Sequence, residues 1–171
     1  MKASWKLELI RRGESMNKYR GQRVDNGEWI YGGSVITFDD NGVKTYYMPV
    51  LGEKCTADHE DVTDNILSIK GNFYLVENVC EYIGLTDKEN KEIYKGDILQ
   101  DEQGIKYIVR FGEFIIIEYD ERQYGYYAEE IAKKEYEIGL TGNFPLFKLG
   151  CAQSGVIGNI YDNPNLLGGI Q

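Results

Sequence analysis

Residues 81–99 carry the strongest local signal in the chain: Glu81-Tyr82-Ile83-Gly84-Leu85-Thr86-Asp87-Lys88-Glu89-Asn90-Lys91-Glu92-Ile93-Tyr94-Lys95-Gly96-Asp97-Ile98-Leu99. A polar stretch, 86–91, separates two apolar runs, and a second turn, Lys95-Gly96-Asp97, follows at once. Glycine and asparagine at such points reach the positive backbone dihedrals that other residues resist. The pattern is that of short strands joined by tight turns.

The same punctuation extends in both directions. Asp25-Asn26-Gly27 precedes Trp29-Ile30-Tyr31, a hairpin signal. Asp39-Asp40-Asn41-Gly42 lies between the apolar runs 35–38 and 43–48, a second hairpin, and Pro49 marks a sheet edge or exit. Residues 51–64 are polar and turn-rich and read as a loop. Further strands are expected at 66–69 and 73–79, then at 97–100, 105–111 and 114–119, the last two joined by a tight turn at Gly112-Glu113. Residues 144–149 and 156–161 close the sheet. One helix is expected at 127–136, where Ala128, Ile131 and Ala132 recur at helical spacing and Glu129–Lys133 and Glu130–Lys134 form i,i+4 pairs. The fold class is therefore mainly β, built of short-stranded antiparallel hairpins with one short helix.

The chain has 171 residues, 42% of them hydrophobic and 13% aromatic, which are globular values. Its 19 Lys and Arg against 28 Asp and Glu leave a net charge of -9, a field that repels a phosphate backbone. Nucleic-acid binding is disfavoured, the basic residues clustering only near the N-terminus, from Lys2 to Arg23. No run reaches the ~20 apolar residues that span a bilayer, and no signal peptide is recognisable. Cys55, Cys80 and Cys151 contain no CxxC pair and suit a reducing compartment, so a bacterial cytoplasm is the expected location.

Three blocks point to a family. The first is Tyr19-Arg20-Gly21 with Glu28-Trp29-Ile30-Tyr31-Gly32. The second is Gly84-Leu85-x-Asp87 followed by Lys91-Glu92-Ile93-Tyr94-x-Gly96-Asp97-Ile98. The third is Val156-Ile157-Gly158-Asn159-Ile160-Tyr161-Asp162-Asn163-Pro164. Together they resemble the YopX family of phage and prophage proteins, in family order and across residues 16–171. Asn90 departs from a frequent glycine, and Ile83 from a small hydroxyl residue. The resemblance implies an N-terminal β subdomain at 16–80 and a C-terminal SH3-like barrel subdomain at 81–171, interrupted by a helical insertion around 121–143. It implies a phage or prophage origin but no defined biochemical activity. Residues 1–15 precede the resembling part. They admit two readings: a non-native extension ahead of a start at Met16, or a strand in which Trp5, Leu7 and Leu9 alternate with other residues.

Candidate chemistry is sparse. His59 is the sole histidine, and Cys55 with His59 makes only half of a zinc set. Asp58, Glu60, Asp61 and Asp64 lack the calcium-loop pattern. Asp97 is the most constrained acid and is expected to bond the backbone amides of its own turn. No catalytic, cofactor or metal residue is singled out, and no cofactor is expected. The residues of the three blocks are read as structural. Fourteen tyrosines are an excess that suits strands and interfaces, and Tyr124, Tyr126 and Tyr127 are the candidate contact patch. The leading expectation is a non-enzymatic, self-associating protein-binding module. Two alternatives are a metal-dependent enzyme acting on nucleotides or nucleic acid through an acidic cluster, and a nucleic-acid-binding barrel.

Overall fold

A computed structural model describes residues 18–40, 42–49, 56–59, 67–70, 72–116, 121–131, 143–146 and 153–168. The two readings of 1–15, and the candidate residues Cys55, Glu60, Asp61 and Asp64, lie outside these. The chain divides into two compact units, Met1–Glu81 and Tyr82–Gln171.

In the first unit, β1 (Tyr19–Arg23) and β2 (Trp29–Gly32) form the expected hairpin. Gly27 takes φ 75° at its turn, and its amide donates to the Arg23 carbonyl at 2.9 Å. β3 (Ile36–Asp40) and β4 (Val43–Pro49) form the second hairpin, and β7 (Phe73–Thr86) lies between β1 and β4. Met48, Val76 and Cys80 are buried at its centre. Gly21 is required there: a Cβ would stand 2.9 Å from the Met48 sulfur and 3.0 Å from Val76 Cβ. The close approach coincides with a break in β1–β7 register between Arg20 and Gln22. β5 (Thr56–His59) lies within the stretch expected to be a loop and forms a two-stranded ribbon with β6 (Leu67–Lys70), where a strand is expected. Cross-strand pairing with Leu67–Lys70 overrides the weak strand propensity of Thr56–His59. β6 thus pairs with β5, not with the strand that begins at Phe73.

The second unit holds the C-terminal end of β7 and β8 (Glu92–Tyr94), β9 (Asp97–Gln100), β10 (Lys106–Ile116), β11 (Glu121–Glu130), β12 (Asn143–Pro145) and β13 (Gly155–Asn159). Five strands form one antiparallel sheet in the order β12-β11-β10-β9-β13. It is a four-strand meander whose fifth strand returns beside the first. Ile93, Leu99, Tyr107, Val109, Ala128 and Leu146 form its core. Each fully buried aliphatic contributes about 1.5–3 kcal/mol. Among the described residues β12 and β13 remain the outer strands and the sheet is open, not closed into a barrel. β12 is only three residues long and ends at Pro145, which has no N–H to extend a ladder.

Two expectations fail in this unit, for one reason. Residues 127–130, expected to begin a helix within an insertion, are strand, and Gly112-Glu113, expected to turn, lies mid-strand. β10 and β11 pair without a break from Tyr107↔Glu130 to Ile116↔Glu121. Ten cross-strand pairs outweigh the few tenths of a kcal/mol from each Glu–Lys helix pair. The part of the expected helix beyond residue 131 lies outside the described residues. The helical content described is a 3-10 helix, Pro164–Leu167, that starts on proline and is capped by Gly168 at φ 57°. No helix among the described residues is long and apolar enough to cross a membrane.

Candidate protein-interaction surface

The signature turn is held by Asp87. Its Oδ1 accepts the amides of Glu89 at 2.8 Å and Lys91 at 2.9 Å, which closes the turn on itself. Its Oδ2 accepts the Val156 amide at 2.9 Å, which ties the turn to β13. Lys88 N donates to the Ser154 carbonyl at 3.0 Å, so the clasp has two ends. Burial pushes the Asp87 carboxyl up, but the amides of Val156, Lys91 and Glu89 and the charge of Lys91 outweigh it and hold the group below the ordinary aspartate value. Asn90 completes the turn at φ 63°, the left-handed conformation expected of it.

The next turn is built the same way. Asp97 is fully buried, and its Oδ2 accepts the Tyr94 amide at 2.8 Å, the backbone role expected from sequence. Gly96 takes φ 86°, donates to the Val109 carbonyl at 2.9 Å and accepts from Ile160 N at 3.0 Å. Glu92 Oε2 accepts the Tyr94 hydroxyl at 2.7 Å. Asp101 caps its own turn, accepting Gln103 N at 3.0 Å, Ile105 N at 2.9 Å and the Tyr107 hydroxyl at 3.0 Å.

The third block lies directly beside the second, with Asn159 opposite Asp97 and Gly158 opposite Ile98. Asn159 Oδ1 accepts the amides of Tyr161 and Asp162, both at 2.9 Å, and its Nδ2 donates to Asp162 Oδ2 at 2.7 Å. Asn163 Oδ1 accepts Asn159 N at 3.1 Å. That oxygen fills the space where a Cβ on Gly158 would stand, 2.3 Å away, which is why a glycine is needed. Pro164 follows as the first residue of the 3-10 helix. Leu85 and Ile157 are partly exposed, so they are not core anchors.

The first block is held within its own unit. The buried Arg20 guanidinium lies 4.8 Å over the Trp29 ring, and Arg23 lies 4.0 Å over Tyr74. Arg23 also pairs with Asp25 and, at 3.7 Å, with the exposed Glu28. The bond from Arg23 holds the Asp25 carboxyl below its ordinary value. Tyr31 is half-exposed, and Gly32 carries the Met48 methyl 3.1 Å from where a Cβ would be.

The motif acids and amides thus accept and donate within the fold. Among the described residues no group of three or more His, Cys, Asp and Glu is placed to hold a metal ion. His59 lies on β5 opposite Leu67.

One outward face of the second unit is largely aromatic. Strand alternation and register put Val109, Phe111, Glu113 and Ile115 of β10 on one face with Ala128, Tyr126, Tyr124 and Arg122 of β11. Near Val109 and Ala128 this face is core; toward the hairpin tip it emerges. Phe111 is 44% exposed and Tyr124 74% exposed. The Phe111 ring packs edge-on against Tyr124 at 5.2 Å and tilted against Tyr126 at 4.7 Å. Glu113 and Arg122 pair at 3.2 Å on the same face. Two of the three tyrosines expected to form a patch are therefore together. Tyr127 is not: it faces the other way, stacked on Phe114 at 5.1 Å. Phe111 is not among the residues expected to form the patch, because a turn at Gly112 would separate it from β11. The apolar residues Tyr107, Val109, Phe111 and Ile115, at every second position but Glu113, are the signal that locates it.

The YopX protein family model matches residues 49–168. The chain belongs to the YopX protein family. The match covers the signature turn and the closing block; the block at Tyr19–Gly32 precedes it. No curated protein matches the chain in sequence. In this YopX chain the second and third blocks adjoin as β9 and β13, clasped by Asp87.

Proposed function

We propose that this YopX protein is a phage or prophage accessory protein that works in the bacterial cytoplasm by binding other protein surfaces, without catalysis. The observation that carries this reading is the division of labour in the second unit. Asp87 and Asp97, the carboxylates fixed by the signature, receive backbone amides. The outward feature is the contiguous face of Phe111, Tyr124 and Tyr126. Exposed aromatics with a neighbouring Arg form the residue mix enriched in protein interfaces. An ion pair at its rim, Glu113–Arg122, adds direction to the contact.

The test is affinity capture from host lysate on immobilised full-length protein, followed by in-solution titration of the captured protein. Phe111→Ser with Tyr124→Ser is expected to weaken that titrated affinity by about tenfold or more, equal to 1.4 kcal/mol. Unchanged affinity with the double variant, or divalent-ion-dependent turnover of nucleotides by the purified chain, contradicts the reading.

A further inference from the structure

We propose that two copies of this chain join antiparallel through the outer edge of β11, with Gln123 of each copy at the two-fold axis. This rests on the protein-binding reading above and names a second copy as the partner.

The first support is the edge itself. β10 lies along one side of β11 for its whole length, whereas β12 lies beside Tyr127, Ala128 and Glu129 only. Among the described residues no strand lies on the outer side of Glu121 to Gly125. Such an edge is a template for another strand.

The second support is the direction of its backbone groups. Pro145 stands opposite Tyr127 and has no N–H, so the ladder bonds between β11 and β12 belong to Ala128 and Phe144. The register with β10 is unbroken along β11, so the alternation continues to the tip. It turns the N–H and C=O of Arg122 and Tyr124 outward. Two copies paired about Gln123 then exchange both bonds at Arg122–Tyr124 and again at its symmetry mate.

The third support is charge. The chain carries -9, but residues 121–125 hold one acid, Glu121, and one base, Arg122. Pairing about Gln123 sets Arg122 opposite Tyr124 of the second copy and Glu121 opposite Gly125, so no like charges meet. The neighbouring registers are worse. An axis at Arg122 opposes two guanidinium groups. An axis at Tyr124 brings Glu121 against Tyr127, whose outer side β12 already holds. Antiparallel pairing admits only whole-residue axes, because outward-facing groups must meet outward-facing groups.

Side chains complete the fit. Tyr124 is 74% exposed on the same face as Arg122, so each ring receives a guanidinium from the other copy. The face formed by Phe111 and Tyr124 then runs on into its counterpart.

The test uses the full chain. At a pair that exchanges no hydrogen bonds the Cα atoms lie about 4.5 Å apart, within disulfide reach. Gln123→Cys under mild oxidation is expected to give a dimer whose disulfide maps by mass spectrometry to the two introduced thiols. In sedimentation velocity the wild type is expected to be dimeric, and Tyr124→Pro, which removes an outward N–H, to raise the dissociation constant by about tenfold or more. If Tyr124→Pro fails to fold by circular dichroism, the cross-link alone decides. A dimeric wild type with no cross-link between the introduced thiols overturns the edge pairing while leaving the protein-binding reading intact. A wild type that stays monomeric and gives no cross-link also overturns the pairing, and the capture experiment then judges that broader reading separately.

Discussion

Asp87 and Tyr124 belong to one unit and are opposites in use. Asp87 is buried, and every contact described for its carboxylate is an amide of its own fold: two in its turn and one on β13. Tyr124 sits 74% exposed near the end of a hairpin, its ring against another exposed ring. The signature turn therefore holds backbone, and the hairpin face is left exposed. A motif can be informative about family while the carboxylates it fixes accept backbone amides of their own fold.

The comparison is broken most strongly at Asp87. Asp87→Ala removes the charged acceptor from the part-buried amide bonds of Glu89, Lys91 and Val156, each worth about 1.5–3 kcal/mol. The expected loss, read by urea denaturation, is about 3 kcal/mol or more, with cleaner partner binding losses absent once folded protein is compared. A loss under about 1 kcal/mol would show that the clasp is incidental.

Acid probes the same group. The folded carboxyl lies below its ordinary value, so the unfolded chain binds the proton first. The stability it contributes is full above the ordinary aspartate range and is lost as pH falls through the depressed folded value. Asp87→Asn is expected to flatten that acid limb of the stability–pH curve; a limb as steep as the wild type would contradict the assignment.

Gly158→Ala is the next smaller effect. Its Cβ displaces Asn163 Oδ1 from the Asn159 amide, at an expected cost of about 1–2 kcal/mol in thermal or urea unfolding. An additional Asn163→Ala change should make the glycine substitution nearly neutral, which sharpens the claim that this contact is the reason for the glycine.

Much of this was legible in sequence, and the limits have a common physics. Asn26-Gly27 and Asn90 mark turns by local backbone chemistry, and Asp97 bonds within three residues of itself. These are local, and they were readable. Asp87 reaching Val156 spans 69 positions, so nothing near Asp87 announces it. The hairpin misled for the converse reason. Ala128, with Glu129 and Glu130 before two lysines, suits a helix locally, but pairing with Tyr107–Val109 decides otherwise. Gly112 looked like a turn because glycine often is one; here it faces Gly125 within a ladder. Once that turn is removed, Phe111 and Tyr124 fall on one face and Tyr127 on the other.

The most direct test pairs two readings on one preparation of Tyr124→Ser: unfolding free energy and strength of association. The account predicts that, at concentrations where both proteins are monomeric, stability stays within about 0.5 kcal/mol of wild type, because the ring is exposed, while association is weakened by about tenfold or more. Association at wild-type strength, or a large fall in stability, would contradict it.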